Sequence, residues 1–262
     1  MPKVTPTRVL ITGATGAIGQ ALAKQYAKAG VYLCLQGRND AVLQQLAQDV
    51  ATLGARCELA VVDLTDSQAL QQWCQQLSSQ CFDLVILNHG ININHGEIDP
   101  VTQKQPGEQW PEVQQLLRLN IEASFALVHA VLPNMRQQGQ GQIALMSSLA
   151  AWYGLPVTPT YSASKAALKA YGEGMRGWLK AEGIKVNVIM PGYVDSAMSR
   201  AMPGPKPWLW SPERAAAYIC QGLQANKARI SFPFPLNLGC FLLGFSRPWL
   251  AERILTWLNY RG

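Results

Sequence analysis

The sequence predicts an α/β fold, with a parallel sheet held between layers of helices. Three observations carry that expectation. Short apolar runs, each long enough for one buried strand, recur at residues 9–11, 31–35, 57–62, 84–87, 143–146 and 185–190. Segments with helical periodicity separate them. A turn with glycines at 13, 16 and 19 follows the first run directly, and a helical pattern starts inside it.

The composition bounds the possibilities. The chain has 262 residues and no Pro/Gly/Ser-rich linker or charge run to divide it, so one domain is expected. Charged residues make up 15% of it, against about 25% in a typical soluble domain. That points to buried oligomer surface or to contact with something apolar. The net charge of +6 suits an anionic cofactor, an anionic lipid or a nucleic acid. No basic run or nucleic-acid motif accompanies it, so nucleic acid is not expected. The six cysteines are scattered without a C-x-x-C pair. Cys34 and Cys57 sit in apolar runs and read as buried thiols. This usage favours a reducing, cytoplasmic compartment and gives no zinc site. The apolar run at residues 9–11 is too short for a signal peptide.

In chain order, the first strand leads into Thr12-Gly13-Ala14-Thr15-Gly16-Ala17-Ile18-Gly19 and a helix to about residue 29, which Gly30 ends. Glycine is needed where the backbone takes positive φ or lets a phosphate approach main-chain N–H groups. The helix N-terminus adds its partial positive charge there. The glycine spacing does not fit G-x-G-x-x-G, yet the strand–turn–helix–strand context favours nucleotide binding. The second strand ends in Gln36-Gly37-Arg38-Asn39. It lacks the acid that would take the ribose hydroxyls of NAD. Arg38 could pair with the 2′-phosphate of NADP, or be a solvated arginine. A helix at residues 40–53 is closed by Gly54. After the third strand, Asp63 could meet the adenine amine, and Thr65 or Asp66 caps a helix to about residue 79. The fourth strand ends in Asn88-His89-Gly90, where glycine lets the chain pass close to a ribose. His89 and His95 read as ordinary loop residues, and residues 92–108 as a polar surface loop.

Residues 110–135 form an apolar-striped helix with Asn120, a weak helix former, placed inside it. His129 on this helix reads as packed or surface. The strand at 143–146 leads to Ser147 and Ser148. Gly154, Pro156 and Pro159 rule out regular structure until about Thr160. A helix then runs to about Gly183. Tyr161 and Lys165 are four apart on it and share a face that Ser148 can meet across the loop. A tyrosine has a pKa near 10. A lysine ammonium within about 4–6 Å can lower it by roughly one to three units, which suggests proton transfer. The alternative is an ordinary exposed pair. Residues 199–210 read as a mobile, greasy flap, and Ser211-Pro212-Glu213 as a helix start.

Together these residues resemble the short-chain dehydrogenase/reductase family over residues 7–231. The resemblance rests on Thr12-Gly-x-x-x-Ala-x-Gly19, Asp63, Asn88-x-Gly90, Asn120, Ser148, Tyr161-x-x-x-Lys165 and Pro191-Gly192. It implies a three-layer αβα Rossmann fold, a doubly wound parallel sheet of seven strands. It makes Tyr161 the general acid/base, Ser148 the group that orients the substrate oxygen, and Lys165 the tuner of Tyr161 and holder of the nicotinamide ribose. Asn120 would hold a water linking Lys165 to solvent. Cofactor contacts are implied at Thr12, Gly13, Thr15, Gly16, Ala17, Ile18, Gly19, Arg38, Asp63, Leu64, Asn88, Gly90, Tyr161, Lys165, Pro191, Gly192, Val194 and Ser196. Ser148 rather than Ser147 is chosen because it stands the family's interval of thirteen before Tyr161. Ala17 replaces the usual middle glycine, and Ser196 a usual threonine. No metal is implied. Homo-dimers or homo-tetramers are usual, with the Asn120 and Tyr161 helices at an interface.

The tail departs from the family. An apolar stretch at 229–245 precedes an amphipathic run at 248–260. Leu250, Ile254, Trp257 and Leu258 could share one face there, with Arg247, Arg253 and Arg261 around it. The stretch is short of the ~20 residues a bilayer span needs. It either lies in a membrane interface or packs on the protein or on another subunit and covers the substrate cleft. The expected function is NADP(H)-dependent interconversion of an alcohol and a ketone or aldehyde, on an apolar or lipid-like substrate. The alternative is a non-catalytic nucleotide-binding sensor or interaction protein on the same scaffold.

Overall fold

A computed structural model describes residues 7–93, 107–202, 204–258 and 260. Seven strands form one sheet: β1 Arg8–Thr12, β2 Tyr32–Gly37, β3 Arg56–Val61, β4 Leu84–Leu87, β5 Gly141–Met146, β6 Ile184–Pro191 and β7 Arg229–Phe232. Their order across the sheet is β3-β2-β1-β4-β5-β6-β7, and every pairing is parallel. Parallel strands need crossovers and are covered on both faces. The side chains obey this by alternation. Val9, Ile11, Leu84 and Ile86 join the core on one face; Leu10, Val85 and Leu87 join the other.

Helices α1 (Ala17–Tyr26), α2 (Asp40–Thr52) and α8 (Pro212–Gln224) close the first face through residues such as Leu22, Leu46 and Ile219. The second is closed by α3 (Ser67–Leu77), by α5 (Ala123–Gln138), which continues α4 (Trp110–Leu117), and by α6 (Pro159–Leu179). Local sequence sets their ends. Asp66 caps α3, its Oδ1 accepting from Gln68 N and Ala69 N, and Ser211 caps α8 by accepting from Arg214 N. Gly30, Gly54 and Gly183 take φ of +83°, +90° and +76°, where an L side chain is strained. Pro159 opens α6 in its first turn, where the missing N–H costs nothing. A Cβ on Gly172 would lie 2.6 Å from Val188 Cγ2, so α6 is pressed onto the sheet there.

The structure adds to the sequence expectations in three places. Between α4 and α5 the helix widens into a π-turn, Arg118–Glu122, that carries Asn120. Such bulges often mark functional sites. The whole 110–138 helix is long and apolar enough to cross a membrane, yet half of its most apolar window is buried in the fold. The expected flap holds a short helix, α7 (Ala197–Ala201), and Trp210 is bridged to Val194. The tail, expected as one apolar stretch and one amphipathic run, supplies β7 at the sheet edge, then α9 (Leu236–Phe245) and α10 (Pro248–Trp257). Most of the expected 92–108 loop, with His95, lies outside the described residues, as does Arg261.

Candidate active site

The strand order reverses between β1 and β4, and open α/β sheets bind ligands in the crevice at the C-terminal strand ends beside such a switch. A cavity of about 1550 Å³ lies there, reaching from the Gly13 turn past Tyr161 to the tail helices. Single-ligand pockets are typically ~300–1,000 Å³, so this one has room for a dinucleotide and a second molecule.

The cofactor side begins at the glycine turn. Gly13 takes φ +61°, and a Cβ there would lie 2.9 Å from His89 Cα. Gly19 lies under the turn; its Cβ would meet Gly13 O at 2.2 Å, so no side chain fits. Thr15, Gly16, Ala17 and Ile18 line the cavity. Gly16 is the N-cap of α1, with no side-chain cap and no acid in the first turn. Those N–H groups are left facing a cradle suited to an anion. The methyl of Ala17 is accommodated at the first helical position, half-buried on the cavity wall. Arg38 is exposed at the rim, and Leu64, Asn88, Gly90, Pro191, Gly192, Val194 and Ser196 line the wall. Ser196 Oγ also caps α7, accepting from Ser199 N at 3.1 Å.

Four expected residues stand off the wall. The Thr12 hydroxyl is buried, 3.1 Å from Asn88 N and 2.7 Å from His89 Nδ1, so it ties β1 to β4. Gly19 acts through its lack of a side chain. Asp63 turns its carboxylate to Thr65, accepting from N at 2.9 Å and Oγ1 at 2.8 Å. Burial alone would raise its pKa; the Thr65 bonds and the Arg38 charge outweigh that and lower it. Asn120 is fully buried: it accepts from Ile91 N at 2.9 Å and donates to Ile91 O and Ser164 Oγ, both at 3.0 Å. Both ends of its amide are used in clamping the 90–92 segment to α6.

On the catalytic side, the Tyr161 hydroxyl stands beside the Ser148 side chain, and Ser148 Oγ accepts from Ala150 N at 3.1 Å. Ser147 turns away: its hydroxyl donates to Lys165 O at 2.7 Å. Lys165 Nζ donates to Met146 O at 2.9 Å and lies 5.5 Å from the Tyr161 ring centre. A Cβ on Gly90 would sit 3.2 Å from that nitrogen, which explains the glycine. The sequence expectation that Lys165 drags the tyrosine pKa down needs correction. Burial pushes the Tyr161 hydroxyl up, and the Ser148 side chain offsets only part of it. Burial also lowers Lys165 to about 8. Here desolvation outweighs the pull of a cation at that range.

Several wall residues escaped the sequence reading. His89 is not an ordinary loop residue; it is buried, with Thr12 Oγ1 at 2.7 Å and Ser124 Oγ at 3.1 Å. Gln36 holds the turn, accepting from Gly13 N at 3.0 Å and donating to Val62 O at 2.7 Å. Ser199 Oγ is buried on the wall without a hydrogen-bond partner. The Tyr193 and Tyr260 hydroxyls meet at 2.7 Å, and Tyr260 OH donates to Pro205 O at 3.2 Å, which ties the tail to the 205 segment. Leu250, Ile254 and Leu258 line the cavity, as the cleft-covering alternative expected; Trp257 instead is 83% exposed. No cluster of metal-ligating side chains occurs among the described residues.

A family model described as short chain dehydrogenase matches residues 7–205. An uncharacterized oxidoreductase of Myxococcus xanthus is 30% identical over 90% of this chain and 91% of its own length. Mouse dehydrogenase/reductase SDR family member 7B is 32% identical over 73% of this chain, which spans 58% of that protein. The solved short-chain dehydrogenase of Sphingobium yanoikuyae, in complex with NADPH, superposes with a TM-score of 0.80 at 24% identity, covering 94% of this chain and 95% of its own.

One consequence concerns acid. Burial, helped by the Lys165 charge, pushes His89 down to about 3 from the usual 6.5. The unfolded chain therefore binds the proton first as pH falls, so this contribution to stability holds above about 6.5 and is lost between there and 3. Urea unfolding of His89→Asn should show a flatter fall in stability between pH ~6.5 and ~4.5 than the native chain. Equal slopes would show that His89 is already charged when folded.

Proposed function

The chain belongs to the short-chain dehydrogenase family, and on that premise we propose that it is an NADP(H)-dependent oxidoreductase interconverting an alcohol and a ketone or aldehyde on an apolar substrate. One observation carries the reading. The Tyr161 and Ser148 hydroxyls stand together beside a buried Lys165, on a cavity with room for both reactants.

When bound, the nicotinamide supplies the hydride for reduction or takes it in oxidation. The chain does the rest. The uncapped start of α1 and the Gly13 turn hold the pyrophosphate, and Arg38 at the rim takes the 2′-phosphate. Ser148 donates to the substrate oxygen and places it against Tyr161. A tyrosine held protonated by burial is loaded as an acid at neutral pH, so it delivers its proton to the carbonyl oxygen in the reducing direction. The Lys165 charge stabilises the phenolate left behind. NADPH in the Sphingobium relative supports the cofactor choice. Leu149, Leu155, Leu236 and Leu243 on the wall support an apolar substrate. Assembly into a homo-dimer or homo-tetramer through α4–α6 is supported by exposed Trp110 and Trp178 on those helices. The six free thiols fit a reducing, cytoplasmic setting.

Tyr161→Phe should lower turnover by roughly 10²–10⁴-fold while NADPH binding, followed by fluorescence, stays largely intact. Full activity in that variant would remove the mechanism and leave a binding role. Arg38→Asp should raise KM for NADPH and shift preference toward NADH, read from kcat/KM with each; an unchanged preference would clear Arg38 of that role.

A further inference from the structure

We propose that the face built by α9, α10, Met198, Trp208 and Leu209 docks on an anionic phospholipid surface, and that the cavity takes its substrate through that face. Among the described residues, fifteen large apolar side chains are exposed. Four of them, Leu53, Val61, Trp110 and Trp178, lie elsewhere; the other eleven lie between residues 198 and 258. A few scattered apolar residues are normal, but a concentrated patch marks an interaction site.

The patch has the chemistry of a bilayer interface. On α9, Leu238, Leu242 and Phe245 recur at helical spacing on one face, and Phe245 is 74% exposed. On α10, Trp249, Arg253 and Trp257 are four apart and share a face. Tryptophan rings favour the headgroup level, where one side is apolar and the other wet. The charge around them is mostly positive. From residue 230 to 258 the only acid is Glu252, against Arg247 and Arg253, and both arginines are exposed. Neither takes part in an ion pair among the described residues. Two arginines against one acid, beside apolar rings, leave a net positive face that complements an anionic lipid surface.

The face is also the mouth of the cavity. Trp208, Leu242, Leu250 and Leu258 line the cavity and are exposed at the same time. An apolar substrate leaving the headgroup layer would reach Tyr161 along an apolar wall. This use of the face rests on the oxidoreductase reading; the docking does not, and vesicle binding is measured without turnover, so the two can fail separately.

The test is flotation of the full chain with vesicles of phosphatidylcholine alone or mixed with phosphatidylglycerol. Binding should favour the mixed vesicles and weaken as salt rises. The double variant Trp249→Ser, Trp257→Ser should bind them roughly tenfold less, with NADPH binding and thermal melting unchanged. The pair Arg247→Glu, Arg253→Glu should lose the preference for phosphatidylglycerol. No binding to the mixed vesicles would overturn the proposal. So would undiminished binding by the tryptophan variant, or sedimentation showing a self-associated species that this variant dissociates, which would assign the face to a second copy.

Discussion

Two hydrogen bonds join α6 to the end of β5: Ser147 Oγ to the Lys165 carbonyl, and Lys165 Nζ to the Met146 carbonyl. Together they fix where Tyr161 stands relative to Ser148, because each residue is a short step along the chain from the joint. The joint is costly in isolation. It buries an ammonium, and none of the ion pairs among the described residues neutralises it. A buried charge without a counter-ion gives up proton affinity instead, as Lys165 does by dropping to about 8. A fold that tolerates this holds a cation poised beside a phenol, where it matters for chemistry.

The rest of the molecule serves that joint. The sheet supplies a rigid edge at the β1/β4 switch, and Gly172 lets α6 lie tight on β5 and β6. Asn120, carried on the π-turn, clamps the 90–92 segment to α6 through Ile91 and Ser164. Thr158 holds the next residue, donating to Ile93 O at 2.7 Å. Gly90 then passes between Asn120 and Lys165 where no side chain would fit comfortably. The cofactor side is arranged with the same economy. Thr12, Gln36 and His89 brace the turn from behind, and the exposed helix N-terminus is left for an anion.

What the sequence made legible was whatever is local. Apolar runs gave six of the strands, glycines and capping side chains gave the helix ends, and the spacing of Ser148, Tyr161 and Lys165 gave the reacting face. The parts that stayed hidden are those set by distant partners. His89 looked like a loop residue because nothing nearby in sequence shows that Thr12 and Ser124 close around it. Lys165 was expected to acidify Tyr161 because a helical interval gives proximity but says nothing of desolvation. β7 was lost in an apolar tail because four residues between a charged loop and two prolines carry no period. The Tyr193–Tyr260 contact, 67 residues apart, has no local signature.

Proton delivery by Tyr161 depends on the charge of the buried Lys165. The most direct measurement is the pH dependence of kcat/KM for carbonyl reduction, in the native chain and in Lys165→Arg. Below about 8 Lys165 is charged and the rate should hold; above it the proton is lost and the rate should fall. Arginine keeps its charge across this range, so whatever activity that variant retains should show no fall near 8. A native profile flat well past that point, or the same inflection in the arginine variant, would contradict the claim.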